Sequence, residues 1–331
     1  MAVMLKMWKA KWLTSLTEPT ASFAGKNVIV TGANSGLGFE AAVKFSALDA
    51  SKLILAVRDL KKGEAAKSAI EARTGKKNQI EVWELDMGSY ESIQAFAEQT
   101  KQLDHVDVAV LNAGINKASH SLSKYGWEET IQINTISTVL LAILLLPKLK
   151  ETRQITGQPP VIEFTGSGLH ERVKLRQEAR SASNILKVYN TPEAFGIDQY
   201  PISKLFLRFA TNKLASKISS NDVIISTVCP GAVATGLTRE YRGIILRSAL
   251  FLFEKGFQRK PEEGAKELVT GTLQGESMHG AFWNEDIIKP LGPSLVGEEN
   301  EKAAEQVWSD IIDALAKDVP AINGLVQALL S

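Results

Sequence analysis

The chain has 331 residues, enough for one large α/β domain with a sizeable core or for two small ones. Its 38 Lys and Arg against 37 Asp and Glu leave a formal charge of +1, which provides no global field to recruit nucleic acid or an anionic surface and makes a small molecule the default partner. Cys229 is the only cysteine, so an intramolecular disulfide and a cysteine-based metal site are both excluded, and a reducing, cytoplasmic setting is expected.

Residues 1–24 form a basic and apolar extension, with Lys6, Lys9 and Lys11 set among Met4, Leu5, Met7, Trp8, Trp12, Leu13 and Leu16. The lysines interrupt any signal-peptide core. Two readings stay open, a helix packed on the domain's own surface or an interfacial anchor that holds the protein peripherally on a membrane. From residue 26 onward, β-branched runs at 26–31, 52–57, 79–85, 106–111, 160–165 and 222–228 alternate with segments of helical period at 37–48, 60–73, 89–103, 125–150 and 202–218. Such alternation predicts right-handed crossovers and a mainly parallel sheet of about seven strands with helices on both faces. No repeat or linker interrupts it, so residues 25–331 read as one domain. The apolar run at 136–146 ends at Pro147, short of the ~20 residues a spanning helix needs, and reads as a buried helix.

Two stretches depart from the alternation, at 168–199 and 235–260, and each begins where a strand ends. Ligands in open parallel sheets bind beyond the carboxyl ends of strands, so both insertions are expected to shape the substrate pocket. The apolar stretch 244–253 fits a pocket lining, a membrane-facing surface or a subunit contact. Residues 299–315 read as a closing amphipathic helix, with Val307, Trp308, Ile311, Ile312 and Leu315 toward the core.

"TGANSGLG" at 31–38 follows the first strand and opens a helix. Gly32, Gly36 and Gly38 would allow a tight turn and a close approach of backbone N–H groups to a pyrophosphate at a helix N-terminus. The second strand ends "LAVRD", with Val57 where a cofactor lacking the 2′-phosphate would want a carboxylate and Arg58 beside it. That favours NADP(H), with Asp59 more naturally the cap of the following helix. In "QYPISKLFLRFA", 199–210, Tyr200 and Lys204 share a helix face, an arrangement that local spacing alone does not distinguish from an ordinary i,i+4 pair.

Taken with "LDM" at 85–87, "LNAG" at 111–114, Asn134, Ser167 and "CPG" at 229–231, these stretches stand in the order found in the classical short-chain dehydrogenase/reductase family, which the chain resembles from about residue 25 to 290. The resemblance implies a doubly wound Rossmann fold and a catalytic set of Asn134, Ser167, Tyr200 and Lys204. It also implies that Gly32, Asn34, Ser35, Gly36, Leu37, Gly38, Arg58, Asp86, Met87, Asn112, Ala113, Gly114, Tyr200, Lys204, Pro230, Gly231, Val233 and Thr235 hold the cofactor. No metal is implied. The wide interval between Ser167 and Tyr200 is similar to that of the longer, retinol-dehydrogenase-like branch and its fungal members. Family members usually pair through the helices matching 125–150 and 202–218, so a homodimer is an expectation.

The chemistry has its own logic. Reducing a ketone needs a hydride and a proton for the oxygen that becomes anionic. Tyrosine ordinarily titrates near about 10, so a cation such as Lys204 is needed to favour its phenolate. Ser167 would hold the carbonyl oxygen, with Thr165 as the competing hydroxyl, and Asn134 would hold a water connecting Lys204 to solvent. Asn134 would otherwise satisfy backbone groups inside its helix. His120 and His170 are expected at solvated loops near the cleft. The leading functional reading is an NADPH-dependent ketoreductase or alcohol dehydrogenase acting on a hydrophobic, medium-sized secondary metabolite. The alternatives are a non-redox lyase, isomerase or cyclase on the same scaffold, or a cofactor-sensing binding protein.

Overall fold

In the computed structural model, the described residues are 2–77, 79–238, 240–241, 253 and 255–330. The greater part of the 244–253 stretch lies outside them.

Eight strands form one sheet: β1 (Asn27–Thr31), β2 (Lys52–Val57), β3 (Ile80–Glu84), β4 (Val108–Leu111), β5 (Val161–Thr165), β6 (Ile224–Val228), β7 (Phe282–Asn284) and β8 (Ile287–Ile288). Their order is β3-β2-β1-β4-β5-β6-β7-β8, parallel throughout except for the antiparallel β7–β8 pair. The strand count thus exceeds the expected seven by a two-residue edge strand, too short to carry a sequence signal. The order reverses between β1 and β4, which pair in register from Val28↔Val108 to Val30↔Val110. At such a reversal the two crossovers leave in opposite directions and open a crevice beyond the strand ends.

Alternation within the central strands feeds two large cores, one on each face of the sheet. Val28, Val30, Leu53, Leu55, Val108 and Val110 pack under helices Gly36–Ala47 and Pro261–Thr270. Ile29, Ile54, Ala109, Ile162 and Phe164 face the opposite layer, built from helices Tyr90–Thr100, Thr138–Thr156, Gln199–Lys217 and Glu298–Ala316. The apolar run around Pro147 belongs to a continuous helical stretch, Glu129–Thr156, of 28 residues, long and apolar enough to cross a membrane, yet 83% of that window is buried inside the protein. It is a core helix, and it runs through Pro147.

Within that stretch Gln132–Ser137 is wound as a π-helix. Wider turns of this kind are rare and concentrate at functional sites, and this one carries the fully buried Asn134. The helix Gln199–Lys217 is fastened by Arg208, whose guanidinium donates to Thr227 Oγ1 at 3.0 Å and to Gly280 O at 2.9 Å, tying it to β6 and to the approach of β7. Its outer side packs on Glu298–Ala316, while Ile322–Leu330 packs on Thr138–Thr156, so the chain's own C-terminal helices lie on the two helices expected to mediate pairing. In the closing helix Val307, Trp308, Ile311 and Leu315 are buried and Ile312 packs beside them.

Candidate active site

The glycine turn between β1 and helix Gly36–Ala47 is built for close approach. Gly32 and Gly36 adopt φ of +67° and +56°, left-handed values that side chains disfavour. Ser35, at the N-cap, makes no side-chain capping bond, which leaves the first-turn N–H groups available to an anion. A Cβ on Gly38 would lie 2.5 Å from Asn112 Nδ2 and 2.6 Å from Gly32 O. Gly38 therefore does not face the cleft as predicted; it lets the helix seat against the β4 turn. That turn is fixed by Thr31, whose Oγ1 accepts from the N–H groups of Asn112 and Ala113, both at 2.9 Å.

A cleft of about 1100 Å³ runs along the carboxyl ends of the strands. Asn34, Ser35, Gly36 and Leu37 line it beside Arg58, Asp86 and Met87, then Asn112, Ala113 and Gly114, and finally Pro230, Gly231, Val233 and Thr235. Gly36 and Thr235 meet across it, a Cβ on Gly36 lying 3.6 Å from Thr235 Cβ. The glycine cradle, the uncapped helix N-terminus and the length of the cleft fit a dinucleotide. At the end of the cleft beside β2, Val57 is buried and Arg58 exposed, with no hydrogen bond or ion pair to Arg58 among the described residues. Asp59 is occupied as the N-cap of helix Leu60–Thr74, accepting from Lys62 N at 3.1 Å.

Ser167, Tyr200 and Lys204 converge on the same cleft. Ser167 caps a short 3₁₀ turn, Gly168–Arg172, its Oγ accepting from Leu169 N at 3.3 Å, and lies close enough to Tyr200 to act on its phenol. Thr165, the competing hydroxyl, instead leaves its Oγ1 buried without a partner among the described residues, while its carbonyl accepts from Lys204 Nζ at 2.8 Å. Lys204 Nζ also lies 5.8 Å from the Tyr200 ring centroid.

The electrostatics run partly against the sequence-based expectation. Burial pushes the Tyr200 phenol well above its usual range, with Cys229 adding to the rise and the nearby Ser167 hydroxyl opposing it. Burial likewise lowers Lys204 to about 8. The protein alone therefore favours a neutral, proton-bearing tyrosine rather than a phenolate, because desolvation penalises both charged forms.

Asn134 does not line the cleft. Its Oδ1 accepts from Ile115 N at 2.9 Å, and its Nδ2 donates to Ile115 O at 2.8 Å and Ser203 Oγ at 3.0 Å. It still adjoins the site through Gly114, since a Cβ there would lie 3.0 Å from Asn134 Oδ1 and 3.7 Å from Lys204 Nζ.

Of the insertion 168–199, Gly168, Leu169, Glu171 and Arg172 face the cleft. The short helices Gln177–Arg180 and Ile185–Val188 turn away, the second held by Asp310 Oδ2, which accepts from Ile185 N at 2.6 Å. From 235–260, Leu237, Glu240, Phe253 and Phe257 line the opposite wall. His170 is buried rather than solvated, its Nδ1 donating to Ser167 O at 2.7 Å. His120 meets Asn190 O at 3.1 Å, away from the cleft lining.

A helix packed on the domain's own surface is one of the two readings of residues 1–24, and helix Ala2–Trp12 is held there by Trp12 and Arg259; two placements at the cleft, however, carried no sequence signal. The N-terminal helix Ala2–Trp12 brings Met7, Ala10 and Lys11 to the cleft, and the β7–β8 turn adds Asn284 and Glu285. Glu267 supports that turn by accepting from the N–H groups of Glu285 and Asp286. Burial, reinforced by Asp286, raises its carboxyl from the ordinary 4.5 to about 7. Between pH 4.5 and 7 the folded protein holds a proton that the unfolded chain has released, so this group's contribution to stability is full below 4.5 and is lost as pH rises through 7. Glu267→Gln is expected to flatten that part of the stability profile in denaturant titrations across the window; an unchanged slope would contradict this role.

Comparison with known proteins agrees with this geometry. The family model for short chain dehydrogenases matches residues 26–162. A short-chain dehydrogenase/reductase of Phaeosphaeria nodorum, phmF, is 41% identical over 317 residues, covering 95% of this chain and 92% of that protein. Another from Aspergillus flavipes, ffsI, is 40% identical, covering 94% and 92%. Among solved structures, a 3-ketoacyl-(acyl-carrier-protein) reductase from Brucella melitensis complexed with NADH superimposes with a TM-score of 0.59 at 21% identity, covering 80% of this chain and 100% of that one. A short-chain dehydrogenase from Sphingobium yanoikuyae in complex with NADPH gives 0.56 at 20% identity, covering 74% and 84%. These two likenesses speak for the fold, and the fungal relatives for the family. The chain is a member of the short-chain dehydrogenase/reductase family.

Proposed function

We propose that the protein is an NADPH-dependent carbonyl reductase acting on a hydrophobic, medium-sized substrate of secondary metabolism. The observation that carries this reading is the meeting of Ser167, Tyr200 and Lys204 beside the glycine cradle, at the carboxyl ends of the strands. When bound, NADPH supplies the hydride. Ser167 then hydrogen-bonds the substrate carbonyl and Tyr200 gives its phenolic proton to that oxygen, which would otherwise become an alkoxide. A phenol kept protonated by burial suits the donor's role, and therefore reduction. Lys204, with its Nζ on Thr165 O, favours the phenolate left after transfer and so lowers the barrier to proton loss. Asn134 steadies the turn at Gly114 that brings the cofactor and Lys204 together.

Preference for the phosphorylated cofactor is supported by the adenosine end, where Arg58 is exposed and Asp59 is engaged as a cap. Arg58→Ala is expected to weaken NADPH binding by about 10–100-fold, the range for losing a hydrogen-bonded charge partner, and NADH binding by about twofold or less. Equal losses for both would remove the argument for the 2′-phosphate. Support for an apolar substrate comes from Leu169, Phe257, Phe282 and Leu291, which share the cleft with Tyr200. The test is a screen of hydrophobic ketones for substrate-dependent loss of NADPH absorbance. Binding of NADPH with turnover of none, alongside non-redox conversion of such a compound, would overturn the reductase reading.

A further inference from the structure

Arg259 is 5% exposed and lines the cleft. Two of its nitrogens are spent on one acceptor, Nε donating to Ala10 O at 3.2 Å and Nη2 at 2.6 Å. Ala10 lies in the last turn of the N-terminal helix, where carbonyls are left without helical partners and a cation is favoured. The third nitrogen, Nη1, is buried without a partner among the described residues. It sits against the Pro230–Gly231 turn, 3.3 Å from where a Cβ on Gly231 would be. The backbone of Arg259 pairs with the segment that continues this turn, its N–H donating to Ala232 O at 2.8 Å and its carbonyl accepting from Ala234 N at 2.9 Å. That segment runs on to Thr235, the residue facing Gly36 across the cleft.

A buried guanidinium is always charged, and a donor left unpaired beside an open cleft is unfavourable until an acceptor arrives. The N–H groups of the glycine turn offer a pyrophosphate only partial charges, whereas Arg259 offers a full one. The same residue clasps the N-terminal helix, which Trp12 also fixes through Nε1 to Gly256 O at 3.0 Å. We propose that Arg259 binds the cofactor's pyrophosphate through Nη1 and thereby couples docking of the N-terminal helix to occupancy of the cleft. This rests on the reading of the cleft as a nicotinamide dinucleotide site. By linkage, whatever the helix adds to cofactor affinity the cofactor returns to helix docking.

The test uses the full chain, with Arg259→Met as a neutral variant of similar length and Arg259→Lys as one that keeps the charge. Two quantities are read: affinity for NADPH and for 2′-AMP, which keeps the 2′-phosphate and has no phosphate at the 5′ position, and amide hydrogen exchange through residues 5–13 with and without each ligand. In the wild type NADPH is expected to slow that exchange and 2′-AMP to leave it unchanged. R259M is expected to bind NADPH about tenfold or more weakly, to bind 2′-AMP as the wild type does, and to lose the NADPH-dependent protection. R259K, with one head group for two tasks, is expected to recover affinity or protection but not both. NADPH affinity within about twofold of wild type in R259M, or equal losses for both ligands there, would overturn the inference. If R259M does not fold, unchanged affinity and protection in R259K would overturn it. A wild type that binds neither NADPH nor NADH would instead overturn the dinucleotide reading, and this inference with it.

Discussion

Tyr200→Phe is expected to lower turnover by a factor of about 10²–10⁴ while leaving NADPH affinity within about twofold of wild type. The substitution removes one oxygen. The ring and the i,i+4 relation to Lys204 remain, and the glycine cradle that would bear the cofactor is untouched. What disappears is the proton donor, the phenolic hydroxyl near Ser167. Two other candidate groups are committed elsewhere: His170 faces Ser167 O, and Thr165 Oγ1 lies on the strand without any bond to Tyr200. The measurement is NADPH consumption with any ketone that the wild type turns over, run beside a cofactor titration. Activity retained within about tenfold would sink Tyr200 as the acid, and a parallel loss of NADPH affinity would recast it as a binding residue.

Gly38→Ala is expected to destabilise the protein by about 1–3 kcal/mol and to weaken NADPH binding by about tenfold or more. The added methyl would meet Asn112 Nδ2 at 2.5 Å and Gly32 O at 2.6 Å. The first contact is with a side chain already committed to Thr31 O at 2.9 Å, and the second is backbone. Relief therefore requires the helix to lift from the β4 turn, which displaces the N–H groups of the cradle. Gly36→Ala makes a useful contrast, because its neighbours are Thr235 side-chain atoms at 3.6 and 3.7 Å while its φ is +56°. Thermal unfolding of the free protein separates the two effects. Full stability in Gly38→Ala would show that the turn has room that the geometry denies it.

The parts of this molecule that were legible in sequence are those whose signals are local. Strand alternation, the glycine turn and the Tyr200–Lys204 pair each depend on neighbours a few residues away, and they led to the right layers and to one cleft. Asp59 announced its capping role through its position before a helical run, and it accepts from Lys62 N accordingly. Contacts between distant segments were not legible. Arg259 and Ala10 are separated by 249 positions, and nothing in "GFQRKPEEG" marks the arginine as a clasp. The strand β8 has two residues and exists through pairing with β7. His170 looked like a loop histidine because its burial depends on packing edge-on against Phe282, with ring centroids 4.9 Å apart. Residues 177–188 looked like pocket wall because charge and helix length do not reveal the partner, which is the helix Glu298–Ala316. Asn134 was singled out as a polar residue in an apolar helix; the π-helical winding that places it on Ile115 and Ser203 had no local signature.

A fluorescence titration of the purified protein with NADPH and, separately, with NADH decides between these readings. Saturable binding of both is expected, with NADPH tighter by about tenfold or more through Arg58. Equal affinities would contradict the assignment of the phosphorylated cofactor, and binding of neither would contradict the redox reading of the Tyr200 site altogether.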